Sequence, residues 1–154
     1  MIVGLISDTH GLLRPRVHEA LAGVESILHA GDVGGQAILD ELATIAPVRA
    51  VLGNTDPPGA SGLEPEIIVE LAGRSVHVSH GHELGRPSPE GLLARYAQDV
   101  IVYGHTHQPL IHREGERLVV NPGAAGPRRF NLRPSVARLT ISAGTVDVEL
   151  VDVE

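Results

Sequence analysis

The chain has 154 residues, 42% of them hydrophobic and only 2% aromatic, so a buried core of aliphatic side chains is available and wholesale disorder is excluded. It contains no cysteine, and all 12 of its basic residues are arginine. Disulfides, thiolate metal sites, a cysteine nucleophile, a P-loop lysine and a Schiff-base lysine are therefore ruled out. A formal charge of −7, with Tyr96, Tyr103 and Phe130 as the whole aromatic set, argues against stable nucleic-acid binding.

The first apolar run, Ile2 to Ile6, is short and β-branched and predicts a buried strand. Pro15 then suits a first helical position, with Val17, Ala20, Leu21 and Val24 at helical spacing. Ser26 to His29 predicts a second strand. Gly34-Gly35 opens an amphipathic helix carrying Ile38, Leu39, Leu42 and Ile45 on one face, and Val48 to Leu52 predicts a third strand. This alternation calls for parallel strands joined by crossover helices.

Residues 53–65 are rich in Gly and Pro and read as a loop. A hairpin comes next, Ile67 to Leu71 and Ser75 to Ser79 around Ala72-Gly73, then a helix from Pro89 to Gln98 and an apolar run over 100–103. The last third has no helical period. Its two hairpins turn at Glu114-Gly115 and Ala143-Gly144, with a Gly/Pro/Arg loop over 121–134 between them. The layout predicts one domain over residues 1–154, with two sheets packed together and helices outside. No apolar run approaches the roughly 20 residues of a membrane helix. Met1 to Ile6 is too short and uncharged for a signal-peptide core. A cytoplasmic location without a membrane partner is the expectation.

The residues that end the strands carry the chemistry. The first strand ends in Asp8-Thr9-His10, the second in Gly31-Asp32, the third in Gly53-Asn54, the fifth in His80-Gly81-His82 and the sixth in Gly104-His105-Thr106-His107. Parallel strands would bring these loops to one sheet edge, where open α/β sheets bind ligands. Singly, each fragment is ordinary turn chemistry. Together they are not, because turns do not ask for imidazole. Carboxylate, amide and imidazole ligands suit Mn²⁺, Fe²⁺, Zn²⁺ or Ni²⁺. Seven of them fit two ions sharing a carboxylate, as in two-metal phosphoester hydrolysis. Two divalent ions and two aspartates leave two positive charges to hold a phosphate and a hydroxide without any lysine.

These motifs, in this order, resemble those of the calcineurin-like metallophosphoesterases, and most closely their small YfcE-like phosphodiesterase branch. Gly53-Asn54-Thr55-Asp56, Val78-Ser79-His80-Gly81-His82 and Asn121-Pro122-Gly123 are similar to signatures of that branch. The resemblance implies an α/β fold, a four-layer α/β/β/α sandwich of two mixed sheets flanked by helices. It implies hydrolysis of a small phosphodiester by a hydroxide activated at a dinuclear centre. It assigns Asp8, His10 and His107 to one ion and Asn54, His80 and His105 to the other, with Asp32 bridging. Asp32, Asn54 and His80 are the catalytic group, and Mn²⁺ is the first expectation for both ions, ahead of Fe, Zn or Ni. His82 and Arg128 are the candidates for substrate contact, His82 at the rim and Arg128 as a guanidinium fork. His18, His29, His77 and His112 fall on helix or strand faces, as structural or solvent-facing residues. A homo-oligomer is compatible with the sequence.

Many members of the wider superfamily carry His after the Asn of the third motif, where it can protonate the leaving group. Here that residue is Thr55. Among rival readings, a dinucleotide-binding fold lacks the G-x-G-x-x-G spacing and a serine hydrolase lacks the G-x-S-x-G elbow. The stronger alternative is a non-catalytic, metal-binding protein-interaction scaffold on the same fold, like the retromer subunit that shares it. Retention of all seven ligands favours the enzyme.

Overall fold

The computed structural model describes residues 1–154. Strand β1 (Ile2–Ile6) pairs in parallel with β2 (Ser26–His29), and β2 with β3 (Val48–Ala50). The helices α1 (Arg16–Ala20) and α2 (Gln36–Leu42) are the crossovers that parallel pairing requires. The C-terminal hairpin, β9 (Ser135–Ser142) and β10 (Thr145–Asp152), adds antiparallel to the other side of β1 and completes a sheet of order β10-β9-β1-β2-β3.

The second sheet has the order β4-β5-β6-β8-β7. It is built from the hairpin β4 (Glu66–Leu71) and β5 (Arg74–Ser79), from β6 (Val100–Val102), and from the hairpin β7 (Leu110–Glu114) and β8 (Arg117–Asn121). Strands β5, β6 and β8 run parallel. Helix α3 (Pro89–Arg95) connects β5 to β6; Ser88 caps it by accepting the Gly91 N–H at 3.1 Å, with Pro89 in the first turn.

Side-chain alternation sorts the layers. Val3, Leu5 and Leu28 of the first sheet and Val76, Val78, Val100, Val102, Leu118 and Val120 of the second form the central core between the sheets. On the outer face of the first sheet, Ile6 and Ile27 pack with Val17 and Leu21 of the α1 region and with Ile38 and Leu42 of α2. On the outer face of the second, Ile101 and Val119 pack with Leu92 and Leu93 of α3. The result is the expected sandwich of two mixed sheets flanked by few helices.

Several elements are shorter than the sequence predicts. β3 stops at Ala50 because the next two residues pair elsewhere: Val51 bridges to Glu64, and the Leu52 N–H donates to Glu64 O at 2.8 Å. α3 ends at Arg95 because Tyr96 turns extended and stacks on His77, ring centroids 3.7 Å apart. α1 is a five-residue helix, and Leu21 and Val24 reach the core from the turn after it. No helix is long and apolar enough to cross a membrane.

Candidate metal centre

Both sheets present the C-terminal ends of their parallel strands to the same place. Asp8 and His10 follow β1, Asp32 follows β2, Asn54 lies beyond β3, His80 follows β5, and His105 and His107 follow β6. The loops continue the pairing of their strands: the Asp8 N–H donates to Gly31 O and the His10 N–H to Asp32 O, each at 3.0 Å. Within the second sheet the Gly104 N–H donates to His80 O at 3.0 Å, and the loop from β8 to β9 reaches the first sheet's edge, where the Gly126 N–H donates to Asp8 O at 3.2 Å.

The glycines of these motifs answer to close approach. A Cβ on Gly53 would lie 2.1 Å from Asp32 Oδ1, and one on Gly104 would lie 2.0 Å from Ser7 Oγ and 2.5 Å from Asp8 Oδ2. Strain is concentrated in the same loops. Nine non-glycine residues have positive φ, and five of them are Asp8, His10, Asp32, His105 and His107.

Each carboxylate has one oxygen tied down and the other presented. Asp8 Oδ2 accepts from the Ser7 hydroxyl at 2.6 Å and from the His105 N–H at 3.2 Å. Its Oδ1 is buried without a hydrogen-bond partner and lies 3.3 Å from His107 Nε2, 3.5 Å from His10 Nε2 and 3.8 Å from His80 Nε2. Asp32 Oδ1 accepts the Thr55 N–H at 2.9 Å, leaving Oδ2 at 3.2 Å from His80 Nε2 and 3.7 Å from His10 Nε2. His80 Nδ1 donates to Ala30 O at 2.8 Å, which turns the Nε2 lone pair toward the carboxylates.

Burial opposes the charge of Asp8, but His10, His107, His80 and Ser7 outweigh it and hold the carboxyl far below its usual range. Asp32 is likewise held at about 2 against its burial, chiefly by His80 and then by Thr55. Desolvation opposes protonation of His80, yet Asp32 and Asp8 raise its pKa. A positive charge belongs among these groups. Carboxylate oxygens of Asp8 and Asp32 and the Nε2 atoms of three imidazoles converge, Asp8 Oδ1 and His80 Nε2 are buried without a hydrogen-bond partner, and the set fits divalent cations.

Two compact triads stand out, Asp8–His10–His107 and Asp8–Asp32–His80. Asp8 is common to both, while Asp32 lies between His10 of the first and His80 of the second. Asn54 and His105 form the more open side, with Asn54 Oδ1 3.2 Å from His105 Nδ1 and the His105 ring 5.2 Å from that of His80. His82 begins a short 3₁₀ turn at the rim, its ring centroid 5.4 Å from His80 and 6.2 Å from His105, and its Nδ1 is buried without a partner.

Arg128 is not gathered in. Its guanidinium donates to Glu154 Oε2 at 2.6 Å. Of the four histidines set apart by the sequence, His29 is fully buried behind the site and His77 pairs with Glu66 at 2.9 Å. His18 pairs with Glu41 at 2.9 Å on the surface, and His112 lies on β7.

Two supporting residues received no role from the sequence. Asp56 is buried and accepts three backbone N–H groups, Gly53 at 2.9 Å, Gly34 at 3.1 Å and Val33 at 3.2 Å, so it locks the Asn54 turn to the loop after Asp32. Asn121 donates to Gly104 O at 3.1 Å and to Thr106 Oγ1 at 3.0 Å, and fixes the loop bearing His105 and His107. The signal for both lies within the Gly53–Asp56 and Asn121–Gly123 motifs: each residue ends a strand or turn with a short side chain able to bond the backbone.

The calcineurin-like phosphoesterase superfamily domain matches residues 1–144. A probable metallophosphoesterase of Methanothermobacter thermautotrophicus is 35% identical over 161 residues, covering 98% of this chain and 92% of that protein. The phosphodiesterase YfcE of Escherichia coli K12 is 43% identical over 142 residues, covering 77% of this chain and 76% of that one. Among solved structures, wild-type Vps29 of Entamoeba histolytica complexed with Zn²⁺ superposes with a TM-score of 0.81 at 26% identity, covering 100% of both chains.

Proposed function

This chain belongs to the calcineurin-like phosphoesterase superfamily, and from the geometry of the cluster we propose that it is a phosphodiesterase acting on small phosphodiesters at a dinuclear divalent-metal centre. Asp8, His10 and His107 would hold one ion, and Asn54, His80 and His105 the other. Asp32 would lie between the two, and Mn²⁺ is the first candidate for both sites. When bound, such ions supply Lewis acidity to a phosphoryl oxygen and lower the pKa of water. The observation that carries the reading is the buried, unpartnered Asp8 Oδ1 facing the Nε2 atoms of His10, His80 and His107.

The chain's own residues set the electrostatics. Two aspartates against two divalent ions leave two positive charges, suited to a monoanionic diester. Ser7, Thr55 and the Ala30 carbonyl orient Asp8, Asp32 and His80, so little reorganisation is needed when charge develops. His82 at the rim, its ring 5.4 Å from that of His80, is placed to contact a substrate oxygen or to move a proton. With Arg128 bound to Glu154, substrate charge is met at the cluster itself.

The alternative of a metal-binding scaffold draws on the likeness to Vps29, since the fold alone does not separate the two. One experiment decides between them. The purified chain is loaded with Mn²⁺, its metal content is measured, and hydrolysis of bis(4-nitrophenyl) phosphate and 4-nitrophenyl phosphate is followed with and without a chelator. Two ions per chain and chelator-sensitive hydrolysis that favours the diester are expected, with secondary structure unchanged by the chelator. Occupancy that never exceeds one ion overturns the dinuclear reading, and an inactive loaded protein overturns the enzyme.

A further inference from the structure

Beside the cluster lies a cleft of about 490 Å³, within the size range of sites that enclose a small ligand. Two of its walls continue the loops that carry candidate ligands: Val33 and Gly34 follow Asp32, and Thr55 follows Asn54. Thr55 is also tied to the cluster directly, through its N–H bond to Asp32 Oδ1. The opposite wall comes from the segment after Asp56. That segment turns back through left-handed Gly59, Ser61 and Gly62, at φ 78°, 52° and 68°, before the Leu52–Glu64 bond anchors it beyond β3. The cleft and the cluster thus share the loops after β2 and β3, with Thr55 in contact with both.

The lining has a definite chemistry. Val33, Ala60 and Leu63 offer apolar surface, while Gln36, Thr55 and Ser61 offer neutral hydrogen-bonding side chains. Asp56 is the one ionisable residue in the lining, and its carboxylate is already committed to three backbone N–H groups. The cleft therefore holds no cation to receive a second phosphate and no free carboxylate to hold an ammonium group. It suits a neutral occupant that is partly apolar and carries hydrogen-bonding groups.

We infer that this cleft binds one ester group of the substrate, an uncharged, hydrogen-bonding group of up to nucleoside size. The inference rests on the phosphodiesterase reading for what occupies the cluster, and it adds the class of group that the phosphate carries. Compounds whose ester group bears a further phosphate are excluded by the same lining.

The test is equilibrium binding, by titration calorimetry, of small diesters with poor leaving groups to the full chain loaded with Mn²⁺. Dimethyl phosphate reports the cluster alone, and thymidine 5′-(methyl phosphate) adds a nucleoside. Glyceryl methyl phosphate adds a polyol, and the thymidine compound with a 3′-phosphate adds a charge. The thymidine diester is expected to bind at least about tenfold more tightly than dimethyl phosphate, a gain of about 1.4 kcal/mol. The added 3′-phosphate is expected to remove that gain, and the glyceryl compound shows whether a polyol suffices.

Filling the cleft with Ala60→Trp, or from the exposed first turn of α2 with Gln36→Trp, is expected to bring the two affinities within about twofold while Mn²⁺ uptake is unchanged. Equal affinities in the unsubstituted protein overturn the inference, as does a gain that survives both tryptophans or a failure of every probe to bind. Should the thymidine preference be present while no diester is hydrolysed, the phosphodiesterase reading fails and the cleft stands.

Discussion

His29 and Thr9 are joined by a hydrogen bond whose direction their surroundings dictate. His29 Nδ1 accepts the Gly31 N–H at 3.1 Å, so the neutral ring carries its proton on Nε2 and donates it to Thr9 Oγ1 at 2.9 Å. The Thr9 hydroxyl in turn donates to Val33 O at 2.7 Å. Thr9 lies between Asp8 and His10, and Gly31 and Val33 flank Asp32. A histidine of β2 thus braces both loops that supply the carboxylates.

Replacing that hydroxyl by a methyl group of similar shape tests the brace. Thr9→Val leaves the buried His29 Nε2–H and Val33 O without their partner, and a loss of about 1–3 kcal/mol of stability is expected. Denaturant unfolding midpoints read it out. A variant as stable as the parent would mean that the relay does not brace the loops.

The same relay has a pH signature. Burial holds His29 neutral and lowers its pKa from 6.5 to about 4, against the pull of Asp8 and Asp56. Above pH 6.5 neither state of the chain protonates it. Between about 6.5 and 4 the unfolded chain binds a proton that the folded chain does not, so the stability contributed by this residue falls as the pH falls. The loss reaches about 3 kcal/mol and levels off below pH 4. Unfolding free energies of the parent minus those of His29→Gln isolate this term, and the difference should shrink from pH 7 to pH 4. A flat difference would count against a neutral, buried His29.

Much of the fold could be read from the sequence, because its strands are short β-branched runs ended by glycine, aspartate or histidine, and because β10 alternates Val146, Val148 and Leu150 with Asp147 and Glu149. The ends of elements were less legible where a tertiary partner decides them, as Glu64 does for β3 and His77 for α3. At the site, the loops were legible from their residue types, and the structure brings the seven named side chains to one edge. What the residue types do not encode is backbone conformation, so the left-handed geometry of Asp8, His10, Asp32, His105 and His107 was out of reach. Arg128 was misleading for another reason: its partner Glu154 lies 26 residues away in sequence.

Asp32 stands between His10 and His80, whereas His80 and His107 each touch one side of the cluster. On the proposed dinuclear reading a bridging Asp32 would hold both ions, so Asp32→Asn should cost more activity than His80→Ala or His107→Ala at saturating Mn²⁺. A loss beyond the 10–100-fold typical of supporting residues, that is, more than about 100-fold, is expected. Rates of the three variants on one aryl diester decide it. If Asp32→Asn is the mildest, the bridge belongs to Asp8, which both compact triads share.

Thr55 offers the cluster its backbone N–H and no imidazole. Protonation of a departing alkoxide then depends on water or His82, and diesters with basic leaving groups should be slow. Thr55→His supplies an acid worth about 10²–10⁴ in rate, with most effect on the poorest leaving groups. The check is kcat/KM across diesters of rising leaving-group pKa for both proteins. A parent slope near zero would show that a proton donor is already present, with His82 the first to test.

The left-handed candidate ligands make the protein's chemistry and its durability pull in opposite directions. A non-glycine residue held in such a region costs of order 1–3 kcal/mol, and glycine in the same place costs roughly 0.5–1 through chain entropy. His105 has φ 70° and is only half-buried, so His105→Gly should leave the chain as stable or about 1 kcal/mol more stable in a thermal melt, and catalytically silent. Drift under selection for stability alone would therefore erase ligands and keep the sandwich. On this fold, a catalyst decays downhill into an inert frame, and only a demand for turnover holds it back.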